Sequence, residues 1–326
     1  MKLTLTKAML FAALPMAMLA GPVSAAEFSL NVSTSQVAED PMYQGLLEFK
    51  KNVEARSNGR IEVKTFPAGQ LGSDEDVVEQ IRAGAGVALI TDGARLEGFV
   101  SEFGIMIAPY LVDSFADIRK FTLTPTFAEW SDKLDKKDGF KIFAFNWYQG
   151  ERNYVTNKPI TTPADLAGVR TRTPGAPMWM EVCRAMGATP TPMAWSEAYS
   201  ALSMKAIDAV EVQMPSLWGA RLYEIAKHVT MTRHIHLVTG LVGASVWFDK
   251  LPEDLQKIVL EEAFNAGDYA SKLTLDSLEQ IEKDIQTQGM TVTKIDLTPF
   301  IEATKPVYEK FGYVELRKQI EAAIKE

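Results

Sequence analysis

Residues 60–90, RIEVKTFPAGQLGSDEDVVEQIRAGAGVALI, contain the strand, helix and strand that decide the fold. Residues 60–66 alternate polar and apolar side chains, which is typical of a half-buried β-strand. Ser73 and Asp76 have the spacing of a capping box, so a helix is expected to start there. The apolar run at residues 87–90 predicts a strand that is covered on both faces. This order of elements predicts a mainly parallel sheet with helices packed against it.

Strands and helices also alternate on both sides of this stretch, and the alternation starts again after the apolar strand predicted at residues 141–148. The chain is therefore predicted to form two α/β lobes. Outside the opening stretch, the pattern predicts strands at residues 28–32, 141–148, 169–172, 206–210 and 237–248, and helices at residues 41–56, 163–166, 176–186 and 196–204. The lobes are expected to be joined by strands, which suit a hinge better than a flexible tether.

A much longer helix is predicted from residue 252 to about residue 288. Apolar residues recur there in helical phase, among them Leu255, Val259, Leu278 and Ile285. The length exceeds that of most globular helices, and Gly267 lies near the middle, so we expect a bend or a break at that glycine. Such a helix could lie along both lobes.

The first 26 residues have the features of a secretory signal peptide. Lys2 and Lys7 precede an apolar stretch at residues 8–20, and small residues follow at Ala25 and Ala26. The apolar stretch is shorter than the roughly 20 residues that a transmembrane helix needs. We therefore expect cleavage after residue 26 and a mature protein in the periplasm.

Composition excludes several kinds of partner and site. The formal net charge of −8 makes nucleic acid and anionic membranes poor candidates for partners. Cys183 is the only cysteine, so no intramolecular disulfide can form, and its apolar surroundings favour an inert buried thiol. A chain with 47% apolar residues can instead be stabilised by one or two hydrophobic cores.

Conventional catalytic and cofactor-binding signatures are absent from the sequence. It contains no G-x-S-x-G, no H-E-x-x-H and no phosphate-binding glycine loop. His234 and His236 would lie on one face of a strand, but no third metal ligand is near them in the sequence. We expect neither a metal nor a cofactor. An enzyme that acts on an organic acid is one functional class to consider, but the sequence contains no recognisable acid–base pair for catalysis.

Arginines and other polar or aromatic residues follow several of the predicted strands. In α/β sheets, ligands bind where the loops after the strands converge. The paired N–H groups of an arginine match the two oxygens of a carboxylate. An anion site is therefore predicted from Asp92, Arg95, Arg152, Arg172 and Trp195. The alternative for each charged residue is a surface charge or an ion pair that stabilises a lobe.

Several segments resemble the solute-binding proteins of tripartite ATP-independent periplasmic (TRAP) transporters, the DctP family. The most specific is GATPTPMAWSEAYSAL at residues 187–202; RTP at 172–174, FPAGQLG at 66–72 and APYL at 108–111 have the same order as in that family. The resemblance covers essentially the whole mature chain.

The resemblance implies a two-lobed α/β clamshell with a long helix spanning both lobes. Lobe I would comprise residues 27–149 and 238–277, and lobe II residues 150–237 and 278–326. It further implies a monomer, without catalytic activity, that captures a small organic acid and delivers it to the membrane permease subunits of a TRAP transporter. A sensor kinase as the partner is an alternative that the chain itself leaves open.

The resemblance also assigns roles to individual residues. Arg172 would hold the ligand carboxylate, Arg152 would be the second binding arginine, Asp92 the acidic residue and Trp195 the aromatic residue of the pocket. Arg170 shares a strand face with Arg172, and spacing alone does not separate the two, but the family places Arg170 outside the pocket.

One departure from the family concerns the ligand. Val212 stands where relatives often have an asparagine that touches the ligand, and Gln213 follows it. Successive strand residues point to opposite faces, so Gln213 can replace that contact only at a bulge or a strand end. The expected ligand is a dicarboxylate, a hydroxy or keto acid or a sugar acid, with a sulfonate as the alternative.

Overall fold

The computed structural model describes residues 25–325, so the predicted signal peptide lies outside the described residues except for Ala25 and Ala26. The strands are β1 (Phe28–Ser33), β2 (Ile61–Phe66), β3 (Val87–Asp92), β4 (Phe140–Glu151), β5 (Asn153–Thr156), β6 (Arg170–Thr173), β7 (Thr189–Pro192), β8 (Ala209–Val212), β9 (His228–Met231), β10 (His236–Ala244) and β11 (Thr291–Lys294). The α-helices are α1 (Pro41–Arg56), α2 (Asp74–Arg82), α3 (Gly93–Leu96), α4 (Phe115–Phe121), α5 (Pro125–Asp138), α6 (Pro177–Ala185), α7 (Ala198–Ser203), α8 (Met214–Gly219), α9 (Ser245–Phe248), α10 (Glu253–Thr287), α11 (Thr298–Thr304), α12 (Pro306–Lys310) and α13 (Val314–Ala323).

The first helices begin where local sequence signals place them. The Asp40 carboxylate accepts a hydrogen bond from the Met42 backbone N–H at 2.8 Å, and the helix α1 begins at the following proline. Ser73 and Asp76 form the predicted capping box at the start of α2. The predicted bounds of α1, residues 41–56, are confirmed.

The strands form two mixed sheets. The first has the order β2-β1-β3-β10-β4, and the second has the order β11-β9-β5-β8-β6-β7. In the first sheet β1 pairs in parallel with β2 and β3, whereas β10 runs antiparallel to both β3 and β4. Four of its five strands, β1 to β4, therefore run in the same direction, so the expectation of a mainly parallel sheet is confirmed for this half; β10, which returns from the second sheet, is the exception.

Two of the crossings of the chain between the sheets run along neighbouring segments. β4 of the first sheet ends at Glu151, and β5 of the second begins at Asn153; β9 and β10 make the return crossing. The two crossings are hydrogen-bonded, since the Arg152 N–H donates to the Ile235 carbonyl at 2.9 Å. The predicted connection by strands is confirmed, and its shortness leaves a narrow hinge.

The helix α10 runs without a break for 35 residues. It packs against α1 and β4 beside the first sheet and against α8 beside the second. A Cβ atom at Gly267 would lie 2.2 Å from the Asn146 Oδ1 atom and 2.9 Å from the Trp147 ring. The glycine therefore permits close approach of the helix to β4, and the helix is not broken at this position.

Other boundaries differ from the predictions. The predicted strand at residues 237–248 ends at Ala244, and its last four residues form α9 instead. The strand predicted at residues 206–210 lies slightly later, at Ala209–Val212, because Lys205 adopts a left-handed conformation (φ 58°) in the preceding turn.

Candidate ligand-binding cleft

A cleft lies between the two sheets, against the crossing segments. Six of the seven residues singled out from the sequence line it: Asp92, Arg95, Arg152, Arg172, Trp195 and Gln213. Polar residues that the sequence did not single out join them, namely Ser35, Gln36, Asp74, Thr91, Gln149, Ser216 and Thr239, together with Trp179. The lining is thus contributed by the ends of strands in both sheets and by the hinge.

Arg95 is surrounded by carboxylates on its own side of the cleft. It pairs with Asp92, with Asp74 at 3.2 Å and with Glu75 at 3.0 Å. Burial alone would lower the pKa of Arg95, but the three carboxylates outweigh it and raise that pKa. This positive charge is fully compensated within the protein.

Arg152 lies at the hinge and pairs with Glu211 of β8. Both side chains are buried, and the guanidinium makes two contacts with the carboxylate, of which Nη2 to Oε1 measures 2.6 Å. The guanidinium also lies over the Trp179 ring, 4.4 Å from its centroid. Burial favours a raised pKa for Glu211, but Arg152 and His234 outweigh it and hold that pKa below its usual value. Arg152 therefore faces the cleft with its charge already paired.

His234 completes the Glu211 network. Its Nε2 atom lies 3.4 Å from the carboxylate, and its Nδ1 atom lies 2.9 Å from the Thr232 hydroxyl. Burial lowers the pKa of this histidine, so the ring is neutral at pH 7. His234 is a structural residue here, as the sequence favoured. Sequence reasoning missed Glu211, because its partner Arg152 lies 59 positions away in the chain.

Arg172 differs from the other two arginines of the cleft. It is 3% exposed, and no carboxylate among residues 25–325 forms an ion pair with it. Its Nε–H donates to the Met193 carbonyl at 3.1 Å, and its guanidinium lies 5.3 Å from the Trp195 ring centroid. Burial, with the repulsion of Arg95 and Arg152, lowers the pKa of Arg172 to about 10. The residue is therefore a buried cation at pH 7 without a counter-ion from the described chain, which is costly unless an anion binds.

The amides of the cleft form a hydrogen-bonded chain. The Gln213 Nε2 donates to Gln149 Oε1 at 3.3 Å, and Gln149 donates to the Thr239 hydroxyl at 3.3 Å. Thr239 in turn donates to the Trp147 carbonyl at 2.9 Å. The chain fixes the orientation of both amides and leaves polar groups beside the cavity for a ligand with hydroxyl groups.

Val212 lies outside the cleft. It is the last residue of β8, and its side chain is buried in the apolar cluster beneath the second sheet. Gln213 comes directly after the strand, at the start of α8, and lines the cavity. The strand end that was one of the two conditions for Gln213 to face the ligand is therefore present, whereas Val212 does not line the cavity.

Arg170 also lies outside the cavity, at the exposed start of β6. Its guanidinium contacts both oxygens of Asp208, at 2.8 and 3.0 Å. Cys183 is also unsuited to binding an anion. Burial raises the pKa of its thiol to about 12. Within the described residues no three metal-ligating side chains come together, and no helix is long and apolar enough to cross a bilayer.

Comparisons with known proteins place this fold and cleft among binding proteins. The family described as "Bacterial extracellular solute-binding protein, family 7" (DctP) matches residues 32–313. A solute-binding protein of Roseobacter denitrificans is 28% identical over 302 residues, covering 93% of this chain and 92% of the relative.

Two solved structures of TRAP periplasmic solute-binding proteins are also similar. The ligand-free open structure from Escherichia fergusonii is 42% identical, covers 91% of this chain and 99% of that one, and gives a TM-score of 0.80. The structure from Ochrobacterium anthropi with bound L-fuconate is 34% identical, covers 92% and 100%, and gives a TM-score of 0.89.

The two TM-scores indicate whether the lobes are arranged as in the open or the ligand-bound relative. The chain shares more sequence identity with the open protein, but its structure superimposes better on the protein with a bound ligand. The free volume of its cleft is about 40 Å³, enough for only a few water molecules. The structure is therefore nearer to the ligand-bound arrangement, and a ligand of sugar size can enter only when the lobes separate.

Proposed function

Because the chain belongs to family 7 of the bacterial extracellular solute-binding proteins, the DctP family, we propose that it captures a small organic acid and delivers it to a TRAP permease. The acid would bind as its anion in the cleft between the two lobes. The observation that carries this proposal is Arg172, a buried arginine for which the described chain supplies no carboxylate.

The charges of the cleft favour a ligand with one carboxylate. Three arginines and four carboxylates lie in the cleft or directly beside it, giving a formal charge of −1 before a ligand binds: Arg95, Arg152, Arg172, Asp74, Glu75, Asp92 and Glu211. Three of these acidic groups pair with Arg95 and the fourth pairs with Arg152, whereas Arg172 forms no ion pair within residues 25–325. A second carboxylate on the ligand would meet this acidic side and be repelled.

A sugar acid fits this distribution. Its carboxylate would pair with Arg172, while Asp92 and Asp74 would accept hydrogen bonds from its hydroxyl groups. The proteins from Ochrobacterium anthropi and Roseobacter denitrificans were solved with L-fuconate and L-galactonate, both of which are monocarboxylic sugar acids. No contact in the cleft favours a sulfonate over a carboxylate.

Binding energy requires both lobes. One charge-assisted hydrogen bond contributes about 1.5–3 kcal/mol, whereas micromolar affinity corresponds to about 8 kcal/mol. Arg172 alone is therefore insufficient, and stacking on Trp195 and polar contacts from both lobes must supply the rest. Closure excludes water from the cleft and strengthens the pairing of Arg172 with the ligand.

The lobes of this clamshell are proposed to be residues 27–149 with 238–277 and residues 150–237 with 278–326. They contain the first and second sheets, respectively, and the hinge at residues 151–153 and 232–236 connects them. We also propose that residues 1–26 are a cleaved signal peptide and that the mature protein acts in the periplasm as a monomer, in line with the periplasmic location of its relatives.

A matched series of sugars tests the proposed ligand class. L-Galactonate, galactitol and galactarate have the same carbon skeleton with one, no and two carboxylates. Thermal unfolding should show a melting temperature raised by several degrees with L-galactonate, a smaller rise with galactarate and none with galactitol. Equal stabilisation by galactitol would overturn the proposal, because it would show that no carboxylate is recognised.

A further inference from the structure

A second cavity lies on the opposite face of the hinge from the cleft. Arg152 and Leu237 of the crossing segments face the cleft, whereas their neighbours Glu151 and His236 line the second cavity. Successive residues of an extended segment point to opposite faces, so the hinge separates the two cavities. We call the second one the back cavity; its free volume is about 350 Å³, within the range of small-molecule sites.

The walls of the back cavity come from different parts of the molecule. One wall is the loop at residues 109–113, which lies between the first-sheet strands β3 and β4 in the chain, and the other consists of α11, α12 and the start of α13. The Tyr308 hydroxyl of α12 donates to the Pro109 carbonyl at 2.7 Å and so joins the walls. At the floor, the Tyr110 N–H donates to the His234 carbonyl of the hinge at 2.9 Å.

Three cations and two carboxylates line the back cavity, and each of the cations has an ion-pair partner. Glu151 is paired with Arg233 at 3.1 Å. Lys305 and Arg317 also line the cavity, but their ion-pair partners, Glu302 and Glu321, do not. The only other acidic residue of the lining is Asp113.

Within the lining itself three cations face two carboxylates, and the pair of Lys305 with Glu302 is exposed and therefore weak, so Lys305 can turn to an anion in the cavity. His236 does not change the balance at pH 7, because burial lowers its pKa and keeps the ring neutral. Its surroundings include Glu151, Asp113, Arg233 and Asp117.

Apolar side chains complete the lining. Leu297 and Ile301 of the C-terminal segment, with Val112 of the opposite loop, present hydrocarbon beside the cationic groups. A molecule that suits the back cavity thus has one negative charge and an apolar body, unlike a sugar acid.

We propose that the back cavity is a second binding site for a small carboxylate with an apolar body, and that its occupant favours the closed lobes. When the lobes separate about the hinge, the cleft widens and the space behind the hinge narrows. An occupant of the back cavity opposes that narrowing and therefore increases the affinity of the cleft for its ligand. The coupling, though not the binding, rests on the closure described under the proposed function.

Direct binding is tested with benzoate on the Arg172→Ala variant, in which the carboxylate site of the cleft is disabled. Benzoate should bind saturably in calorimetry, and the neutral isostere benzamide should bind at least about fivefold more weakly. In the same background, Lys305→Glu should weaken benzoate binding at least about fivefold.

Lys318→Glu is the matched control. Lys305 and Lys318 are both exposed and each pairs with a glutamate three residues earlier, but only Lys305 lines the back cavity. Absence of saturable benzoate binding, equal binding of benzamide, or an equal loss in Lys318→Glu would overturn the site. None of these results depends on the identity of the cleft ligand.

Coupling is tested on the unaltered cleft with the sugar acid that gives the largest thermal shift. Saturating benzoate should lower its Kd roughly two- to tenfold, and the sugar acid should tighten benzoate binding by the same factor. An unchanged or higher Kd would overturn the coupling, the latter because benzoate then competes in the cleft. If no sugar acid binds, the proposed function fails, while the benzoate measurements on Arg172→Ala still decide the back site.

Discussion

The two ends of strand β6 carry the same side chain in opposite environments. At the outer end, Arg170 has 47% of its side chain exposed and is neutralised by Asp208. At the inner end, Arg172 is 3% exposed and has no carboxylate partner among the described residues. An exposed, paired arginine is screened by water and contributes little, whereas a buried, unpaired one requires an anion.

The comparison teaches that residue type and strand position do not identify a binding arginine. The distinguishing feature is whether a carboxylate of the protein already pairs with the arginine. Arg95 and Arg152 also line the cleft, yet their carboxylates are supplied by the protein. Arg172 is the cationic residue of the cleft lining whose counter-ion must come from outside the described chain.

The largest stability effect is predicted for the paired arginine. Glu211→Ala leaves Arg152 buried without its partner, so the free energy of unfolding should fall by about 3–5 kcal/mol. Arg172→Leu, by contrast, removes a cation that is already unpaired and should not destabilise the ligand-free protein. Urea denaturation of both variants measures the difference; a larger loss in Arg172→Leu would contradict the contrast between paired and unpaired arginines.

A smaller effect is predicted when the charge of Arg172 is kept and its shape is changed. Arg172→Lys retains a cation but loses the planar pair of N–H donors and the contact with Trp195. The Kd for the sugar acid should rise roughly 10- to 100-fold, equivalent to about 1.4–2.8 kcal/mol. Calorimetry provides the Kd, and an unchanged value would show that charge alone suffices.

Another effect concerns Glu97, a partly buried carboxyl group at a contact between the two lobes. Glu97 accepts a hydrogen bond from the Met178 N–H of α6 at 3.0 Å, and this contact joins the two lobes. Burial, with the nearby Asp92, raises the pKa of Glu97 from 4.5 to about 7 in this structure.

If opening returns that pKa to its ordinary value, closure takes up a proton between the two values. Affinity should then fall as pH rises from about 4.5 to about 7, by more than about tenfold between pH 5.5 and pH 8, and level off above that range. Glu97→Gln keeps the acceptor oxygen and should remove this dependence. Calorimetry at pH 5.5 and pH 8 tests it, and a pH dependence that persists in Glu97→Gln would assign the proton to another group.

The smallest effect is predicted for the outer end of β6. Arg170→Ala removes an exposed ion pair and should change the free energy of unfolding by about 0–1 kcal/mol and the Kd less than about twofold. Thermal unfolding and calorimetry measure the two quantities. A loss of affinity comparable to that of Arg172→Lys would reverse the roles of the two arginines.

Much of the fold could be predicted because its signals are local. The bounds of α1 follow from Asp40 and the proline after it, and the start of α2 follows from Ser73 and Asp76. The four-residue strands β5 and β9 were missed because so short a segment has too little pattern to distinguish it from a loop. Gly267 was misjudged because its contacts lie on β4, far away in the sequence.

The site could be predicted only as a set of candidates. Spacing indicated which residues would reach the strand ends, but the pairing of Arg152 with Glu211 joins residues 59 positions apart. No local pattern shows which arginine is neutralised by such a contact. The choice of Arg172 over Arg170 therefore came from the family resemblance, and the structure supplies a physical reason for it.

Calorimetric titration of L-galactonate, or the sugar acid with the largest thermal shift, into Arg172→Ala and Arg170→Ala tests the central claim most directly. Removing the unpaired guanidinium of Arg172 should weaken binding by at least about 100-fold, in keeping with the loss of one partner from a buried charged pair. The Arg170→Ala variant should bind as the unaltered protein does. Near-normal affinity in Arg172→Ala would contradict the claim that this arginine holds the carboxylate.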